Sequence, residues 1–513
     1  LTLLILITSN SGSHNNPNTI IFFRSFEVMQ PVNEQISQLY QTKFGSEPVS
    51  ISKIPQSGSD RIYYRVEGVQ TCIATSNKNI KENQTFLRFS THFKKSNCPV
   101  PEIFAVSADE SIYLQEDFGD VSLLNELEKH GHNDHVYGLF QQSLQQLAHL
   151  QIKGHENFNY EWCITSQEFG KQAILADLLY FKYYFLDALK IPYDKEKLVD
   201  DFEVLSIYLA RVDYKYFMFR DFQSRNVMVR DGRVHFIDYQ GGMKGAVQYD
   251  VASLLWQAKA ELPEEWKNSL LEFYMDQVEA VLQSKVDRTR FTSQYNGYVL
   301  IRLLQVLGAY GFRGLFERKA HFLTSIPLAL RNLRWFLNNK HIGLSVPEFE
   351  RLLALVVEDE VIHRFEPPKA TDETKLLVQI NSFSYKTTGI PKDESDNGGG
   401  FVFDCRGILN PGRFEAYKQL TGRDKEVKDF LEQNTRMPAF LNNIYNIVDI
   451  SVEDYMNRGF ESLQISFGCT GGQHRSVYAA DALARHVRNK YGVKIELRHL
   501  VQDAKNWNNA PIP

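Results

Sequence analysis

Three polar side chains around one short hairpin are the part of this 513-residue chain best suited to chemistry. Asp221 and Asn226 stand at the two ends of Asp221-Phe222-Gln223-Ser224-Arg225-Asn226, preceded by Phe219-Arg220, and Asp238 opens Asp238-Tyr239-Gln240. Between them, two β-type runs, Asn226 to Val229 and Arg233 to Ile237, flank Arg230-Asp231-Gly232, which reads as a hairpin turn. Phosphoryl transfer from ATP asks for this set. One carboxylate, here Asp221, orients or deprotonates the acceptor hydroxyl, and an amide and a second carboxylate, here Asn226 and Asp238, hold the Mg²⁺ that neutralises the phosphates. The plain alternative is that D-x-x-x-x-N arises by chance and that Asp238 is a turn residue. The hairpin, and the run Tyr249-Asp250-Val251-Ala252-Ser253-Leu254 just downstream, favour the chemical reading.

A second constellation lies near the other end. The strand-like Leu463 to Phe467 leads into Gly468-Cys469-Thr470-Gly471-Gly472-Gln473-His474-Arg475-Ser476 and a helix over Val477 to Tyr491. Glycines at a strand-to-helix turn let successive N–H groups point inward, and the helix start adds partial positive charge. His474 and Arg475 can add side-chain donors, so the turn suits a phosphate or similar anion; the alternative is a tight turn with no ligand. Cys469 and Arg475 also have the C-x-x-x-x-x-R spacing of a cysteine phosphatase, in which Cys469 would be the nucleophile.

The elements that must position these residues follow from pattern. The chain is too long for one core, so two or three domains are expected. Asn33 to Phe44 reads as a helix. Val49 to Val66 reads as strand, turn, strand with Pro55 to Asp60 as the turn, and Thr71 to Ser76, Glu82 to Ser96 and Ile112 to Leu114 read as strand, helix and strand. Residues 121–215 and 247–345 are helical by period, with Val136, Leu139, Phe140, Leu144, Leu147 and Leu150 recurring at three and four. The crowd Tyr180, Phe181, Tyr183, Tyr184 and Phe185 suits core packing better than stacking on a sugar ring. Leu344 to Glu360 reads as one more helix, and His363 to Glu373, with Pro367-Pro368, as a linker. A second, α/β domain opens at Lys375 to Ile380, with Phe401 to Arg406 as a further strand.

The first domain, over roughly residues 40–345, resembles the aminoglycoside-phosphotransferase-like kinases. It is most similar to the anomeric sugar kinases of the AmgK-like, N-acetylmuramate/N-acetylglucosamine type. The matching pieces are Ser59-Asp60-Arg61-Ile62-Tyr63-Tyr64-Arg65-Val66, Cys98-Pro99-Val100-Pro101-Glu102-Ile103, Gln115-Glu116-Asp117-Phe118-Gly119-Asp120 and Arg220 to Asn226. The resemblance implies a protein-kinase-like α+β bilobal fold that places phosphate on the anomeric hydroxyl of an amino sugar. It also implies a loop with Ser57, Gly58 and Ser59 over the ATP phosphates, a hinge at Gln115, Glu116 and Asp117 that receives adenine, and Asp250 as anchor of the catalytic loop. No Lys lies in Thr71 to Ser76, where a kinase pairs the phosphates, so no Lys–Glu ion pair is visible, and Arg61 is the expected substitute. That gap keeps open a pseudokinase scaffold as an alternative.

Residues 374–505 resemble the C-terminal domain of the RNase adapter protein RapZ. The shared pieces are Ser382-Phe383-Ser384-Tyr385-Lys386, Val402-Phe403-Asp404-Cys405-Arg406, Asn410-Pro411, Thr421-Gly422-Arg423-Asp424 and Gly468 to Tyr478. This implies binding of a phosphorylated amino sugar at Gly468, Thr470, Gly471, Gly472, Gln473, His474, Arg475 and Ser476, and in RapZ itself of a small RNA. No G-x-x-x-x-G-K-[ST] precedes the domain here. Arg485, Arg488, Lys490, Lys494, Arg498 and His499 could form a basic face for RNA or a solvated helix face.

A net charge of −5 and a pI near 6.3 give no overall signal for DNA or a membrane. Cys72, Cys98, Cys163, Cys405 and Cys469 form no C-x-x-C pair, which suits reduced thiols in a cytoplasm rather than a disulfide framework or zinc site. The expected organisation is an N-terminal extension over 1–28, a kinase-like domain over 29–345, a helix and linker over 346–373 and the RapZ-like domain over 374–513. Leu3 to Ile7 is too short to span a bilayer, and residues 1–28 are expected to lie upstream of the true start at Met29, with a poor signal sequence as the alternative.

Overall fold

Short apolar runs bounded by turn residues build an antiparallel sheet at the start of the computed structural model, which describes residues 31–54, 61–395 and 400–505. Ser57, Gly58 and Ser59 of the expected phosphate loop, and the expected 1–28 extension, lie outside the described residues. The strands β1 (Ser50–Lys53), β2 (Ile62–Glu67), β3 (Cys72–Ser76), β4 (Ile103–Val106) and β5 (Ile112–Glu116) pair in the order β1-β2-β3-β5-β4. The helix Val32–Phe44 closes one side with Ile36 and Tyr40 against Val66, Cys72, Ala74, Ile112 and Leu114. The helix Ile80–Lys95 begins where the Asn79 side chain accepts a hydrogen bond from the Glu82 N–H. β4 carries no alternation of burial, so nothing in its pattern announced it.

The large lobe is helical around two small sheets. β6 (Lys215–Met218) pairs antiparallel with β9 (Met243–Ala246), and β7 (Val227–Arg230) with β8 (Arg233–Phe236). The expected hairpin forms with Arg230 opposite Arg233, and Asp231 and Gly232 take φ of 52° and 70°, the left-handed pair that a two-residue type I′ loop requires. Its first strand starts one residue late, because Ser224–Asn226 is a 3-10 turn. The segment Arg288–Phe316 is long and apolar enough by composition to cross a membrane. Its helix Arg288–Tyr310 is nevertheless mostly buried among the helices Lys171–Phe181, Val247–Leu255 and Ile326–Asn339. The single helix expected over 344–360 is two, Pro347–Val356 and Asp359–His363. Glu358 turns extended between them so that Val356 and Val361 both reach the core.

The second domain has a four-stranded parallel sheet, order β11-β12-β10-β13, from β10 (Leu377–Ser384), β11 (Gly400–Asp404), β12 (Ser462–Cys469) and β13 (Lys494–His499). β10 and β12 are buried almost without interruption, as inner strands of a parallel sheet covered by helices must be. Ser384 lies opposite Cys469 in register, so the C-terminal ends of β10 and β12 meet where the strand order reverses, the place at which open α/β sheets bind ligands. The helix Arg475–Tyr491 follows β12, and Gly422 lies flat against its start. A Cβ on Gly422 would stand 2.2 Å from the His474 carbonyl oxygen and 2.6 Å from the Tyr478 nitrogen. Gly422→Ala therefore forces backbone apart and should destabilise the second domain by about 1–3 kcal/mol in urea unfolding of the full chain; an unchanged midpoint would contradict this close approach.

Candidate active site and anion cradle

One buried carboxylate fixes the loop that leads into Asp221. Asp250, on the helix Val247–Leu255, accepts hydrogen bonds from the Phe219 N–H (2.7 Å), the Arg220 N–H (2.9 Å) and Gln151 Nε2 (2.8 Å). Burial pushes its pKa up to about 7, with those donors working against the rise. Arg220 sits at φ 79° and sends its guanidinium to Asp177 Oδ1 (2.7 Å) and the Tyr249 hydroxyl (3.0 Å), above the Phe169 ring. Phe219, where protein kinases carry His, packs on Phe222, Phe236 and Tyr239. The backbone on either side is thus immobilised, and Asp221 is left with its side chain half exposed.

Asn226 donates Nδ2 to the Asp221 carbonyl (2.9 Å), with Asp238 Oδ2 3.5 Å away, which leaves its carboxamide oxygen as a ligand atom beside Asp238. Asp238 takes φ 69°, a strained position for a non-glycine residue, and its Oδ1 accepts from Arg61 Nη2 (2.8 Å) and Gln240 Nε2 (2.9 Å). Burial works to raise its pKa, but Arg61, Gln240 and Arg225 outweigh burial and hold the carboxyl below the usual range. Arg61 Nε also lies 3.4 Å from Glu82 Oε1. An ion pair to Glu82 therefore exists where none was visible in the sequence. It is made by an arginine entering β2 rather than by a lysine on β3, and the same guanidinium holds Asp238.

A cavity of about 320 Å³ opens beside this group, lined among others by Ile54, Tyr63, Gln115, Phe118, Met228 and Asp238. The expected hinge residues behave differently from one another. Gln115 Oε1 is buried without a partner, Glu116 is engaged by Lys94 (3.1 Å), and Asp117 shares Arg65 with Asp120. Two residues near Asp221 escaped the sequence reading. Arg302, only 4% exposed, has Nη1 3.9 Å from Asp221 Oδ1 and 2.6 Å from Gln305 Oε1, and Asp177 keeps Oδ2 buried and unpaired. A charge inside the apolar period of Leu300, Leu303 and Leu304 was the signal for Arg302.

In the second domain the structure rearranges the expected cradle. β12 runs through Gly468 and Cys469, so the turn is Thr470–His474, and Gly468 is glycine because the Phe383 and Tyr385 rings pack on it. Gly472, at φ 66°, donates its N–H to Cys469 Sγ (3.2 Å), and Ser476 Oγ stands 3.2 Å from the same sulfur. The side chains expected to reach an anion are instead spent on neighbouring backbone, since buried donors need partners. Gln473 Nε2 donates to the carbonyls of Lys418 and Leu420, His474 Nε2 to that of Tyr417, and Arg475 Nη1 to those of Arg406 and Ile408. Burial holds the His474 pKa below its usual value. Of these three side chains, Arg475 keeps one buried atom, Nε, without a partner. With that guanidinium turned to carbonyls and Cys469 buried, the phosphatase arrangement is not built. Of the expected basic face, His499 is buried, Lys490 pairs with Asp449 and Glu453, and Arg498 pairs with Glu496, while Arg488 and Lys494 are exposed. All five cysteines are free thiols and buried.

Removing the anchor should be costly. Asp250→Ala leaves the Phe219 and Arg220 N–H groups unpaired and should lower stability by roughly 2–5 kcal/mol in denaturant unfolding; a loss under about 1 kcal/mol would mean that the loop does not depend on it.

Comparison with known proteins finds a match in each domain. Residues 50–283 match the phosphotransferase enzyme family, APH, and residues 376–501 match the RapZ C-terminal domain. A nucleotide-binding protein of Thermosipho africanus is 40% identical over 124 residues, 24% of this chain and 42% of that protein. One from Fervidobacterium nodosum is 39% identical over 127 residues, 25% and 43%. The chain thus spans less than half the length of these relatives. Among solved structures, a choline/ethanolamine kinase family protein from Mesorhizobium loti aligns at 13% identity over 64% of this chain and 99% of its own, with a TM-score of 0.42. This chain therefore carries one region that matches the phosphotransferase enzyme family and, after it, another that matches the RapZ C-terminal domain.

Proposed function

We propose that this protein is an ATP- and Mg²⁺-dependent kinase of a sugar hydroxyl, acting on the anomeric position of an amino sugar of the N-acetylmuramate/N-acetylglucosamine type, in the cytoplasm. Its second domain binds a phosphosugar or similar anion. The observation that carries the reading is the meeting of Asp221, Asn226 and Asp238 around one hairpin, with Arg61 on Asp238 and a cavity alongside. The match of residues 50–283 to the phosphotransferase enzyme family supports it.

Asp221 orients the acceptor hydroxyl and takes its proton. Asn226 and Asp238 offer a carboxamide and a carboxylate oxygen, the hard donors that Mg²⁺ prefers. When bound, that ion neutralises charge on the nucleotide phosphates. Arg61 then holds the phosphate oxygens that a lysine holds in protein kinases, leaving Asp238 when nucleotide enters. The cavity takes the base, with the unpaired Gln115 oxygen as an acceptor toward it. The strain at Arg220 and Asp238 supports an enzyme rather than a pseudokinase scaffold, since non-glycine residues at positive φ persist where surrounding structure holds them for use.

Asp221→Asn should lower phosphate transfer at least about 10³-fold while circular dichroism and unfolding midpoint stay unchanged; retained turnover would remove the base assignment. Arg61→Met should raise the KM for ATP about tenfold or more, with Arg61→Lys restoring part of it. A panel of amino sugars with ATP, read by phosphorus NMR of the product, tests the acceptor: an anomeric phosphate signal is expected, and phosphate on another hydroxyl would overturn the anomeric assignment. Glucosamine phosphates titrated into the full chain should give heat at the second domain, and none would count against the cradle.

A further inference from the structure

The helix Arg288–Tyr310 turns one face toward the loop that carries Asp221. On that face Tyr298 packs edge-on against Tyr249, with ring centres 6.2 Å apart, and the Tyr249 hydroxyl accepts from the Arg220 guanidinium at 3.0 Å. Arg302 follows Tyr298 by four residues, and Gln305 follows Arg302 by three, so the three side chains stand one above another along the helix.

Arg302 is set deep. Its side chain is 5% exposed, against 47% for Asp221, and the buried Leu300, Leu303 and Leu304 surround it on the helix. Nη1 donates to Gln305 Oε1 at 2.6 Å, and the one carboxylate within 4 Å among the described residues, Asp221, keeps Oδ1 3.9 Å from the same atom, beyond hydrogen-bond reach. Nε and Nη2 donate to no described residue, yet neither is sealed from solvent. Those two nitrogens carry the parallel N–H bonds that grip a carboxylate in a two-pronged fork. A guanidinium this buried needs a counter-charge in contact, as Arg220 has in Asp177 at 2.7 Å; Arg302 has a neutral amide and a carboxylate out of reach. Arg302 also lies away from the nucleotide: the cavity beside Arg61 and Asp238 is lined by Asn226 but by neither Asp221 nor Arg302, which places the guanidinium on the side from which the acceptor comes.

We propose that Arg302 is a specificity-determining residue that takes, through Nε and Nη2, a carboxylate carried by the acceptor sugar. This deepens the kinase reading given above and rests on it. The carboxylate gives the buried charge its missing partner, and the two hydrogen bonds hold the ring against Asp221. A neutral sugar leaves that charge unanswered, so it is disfavoured by the penalty on the enzyme as well as by the bonds it lacks.

The test is kcat/KM of the full chain with ATP for N-acetylmuramate, its methyl ester and N-acetylglucosamine, which share the ring and the acetamido group and differ in the carboxylate. The acid should exceed both neutral sugars about tenfold or more. In Arg302→Met that ratio should fall to about one, and Arg302→Lys, which keeps the charge but not the fork, should give an intermediate ratio. A wild-type ratio near one overturns the proposal. So does an equal loss on all three sugars in Arg302→Met, the mark of an arginine that only positions Asp221. Should Arg302→Met fail to fold, the acid-to-ester ratio of the wild type and of Arg302→Lys decides, and an undiminished ratio in Arg302→Lys counts against the fork. A wild-type chain that phosphorylates none of the three overturns the amino-sugar reading first and this assignment with it.

Discussion

A carboxylate that has been denied water must find donors, and in the first domain Asp250 finds them in the backbone of the loop it is meant to hold. Its three hydrogen bonds set Phe219 and Arg220, and through them the direction in which Asp221 leaves the chain. The strained φ at Arg220 is tolerable because its guanidinium is fixed by Asp177 and Tyr249. Aromatic packing by Phe219, Phe222, Phe236 and Tyr239 then supports the hairpin that carries Asn226 and Asp238. Asp221, Asn226 and Asp238 thus inherit their placement from the buried groups packed behind them.

Much of this was legible because it is local. The Asp231-Gly232 turn, the spacing of Asp221 and Asn226, and Asp250 at the head of a helix are each encoded within a few residues. Arg61 was readable only as a candidate, since its partners Glu82 and Asp238 come from a distant helix and a distant hairpin. Arg302 was hidden for a related reason: inside an apolar helix, its charge becomes meaningful only once Asp221 is seen across the lobe. β4 and the β6–β9 pair were missed because short strands with irregular burial carry little period.

In the second domain the motif was legible and its use was not. Residues 468–476 announced a turn between strand and helix, and that turn is present. Which donors face outward depends on where residues 406–420 run, and those carbonyls have first claim on Gln473, His474 and Arg475. Sequence shows that a donor exists; competition among acceptors decides what it serves.

The strand order of that second sheet carries a consequence for how the chain is made. β10 lies between β12 and β13, and its neighbour Ser462–Cys469 arrives on the ribosome long after Leu377–Ser384 has emerged. Until then a strand that the finished sheet buries has no partner on either edge, and pairings this distant in sequence form slowly. Nascent chains stalled before residue 462 carry that strand with both edges open and should be the population most prone to stick to one another.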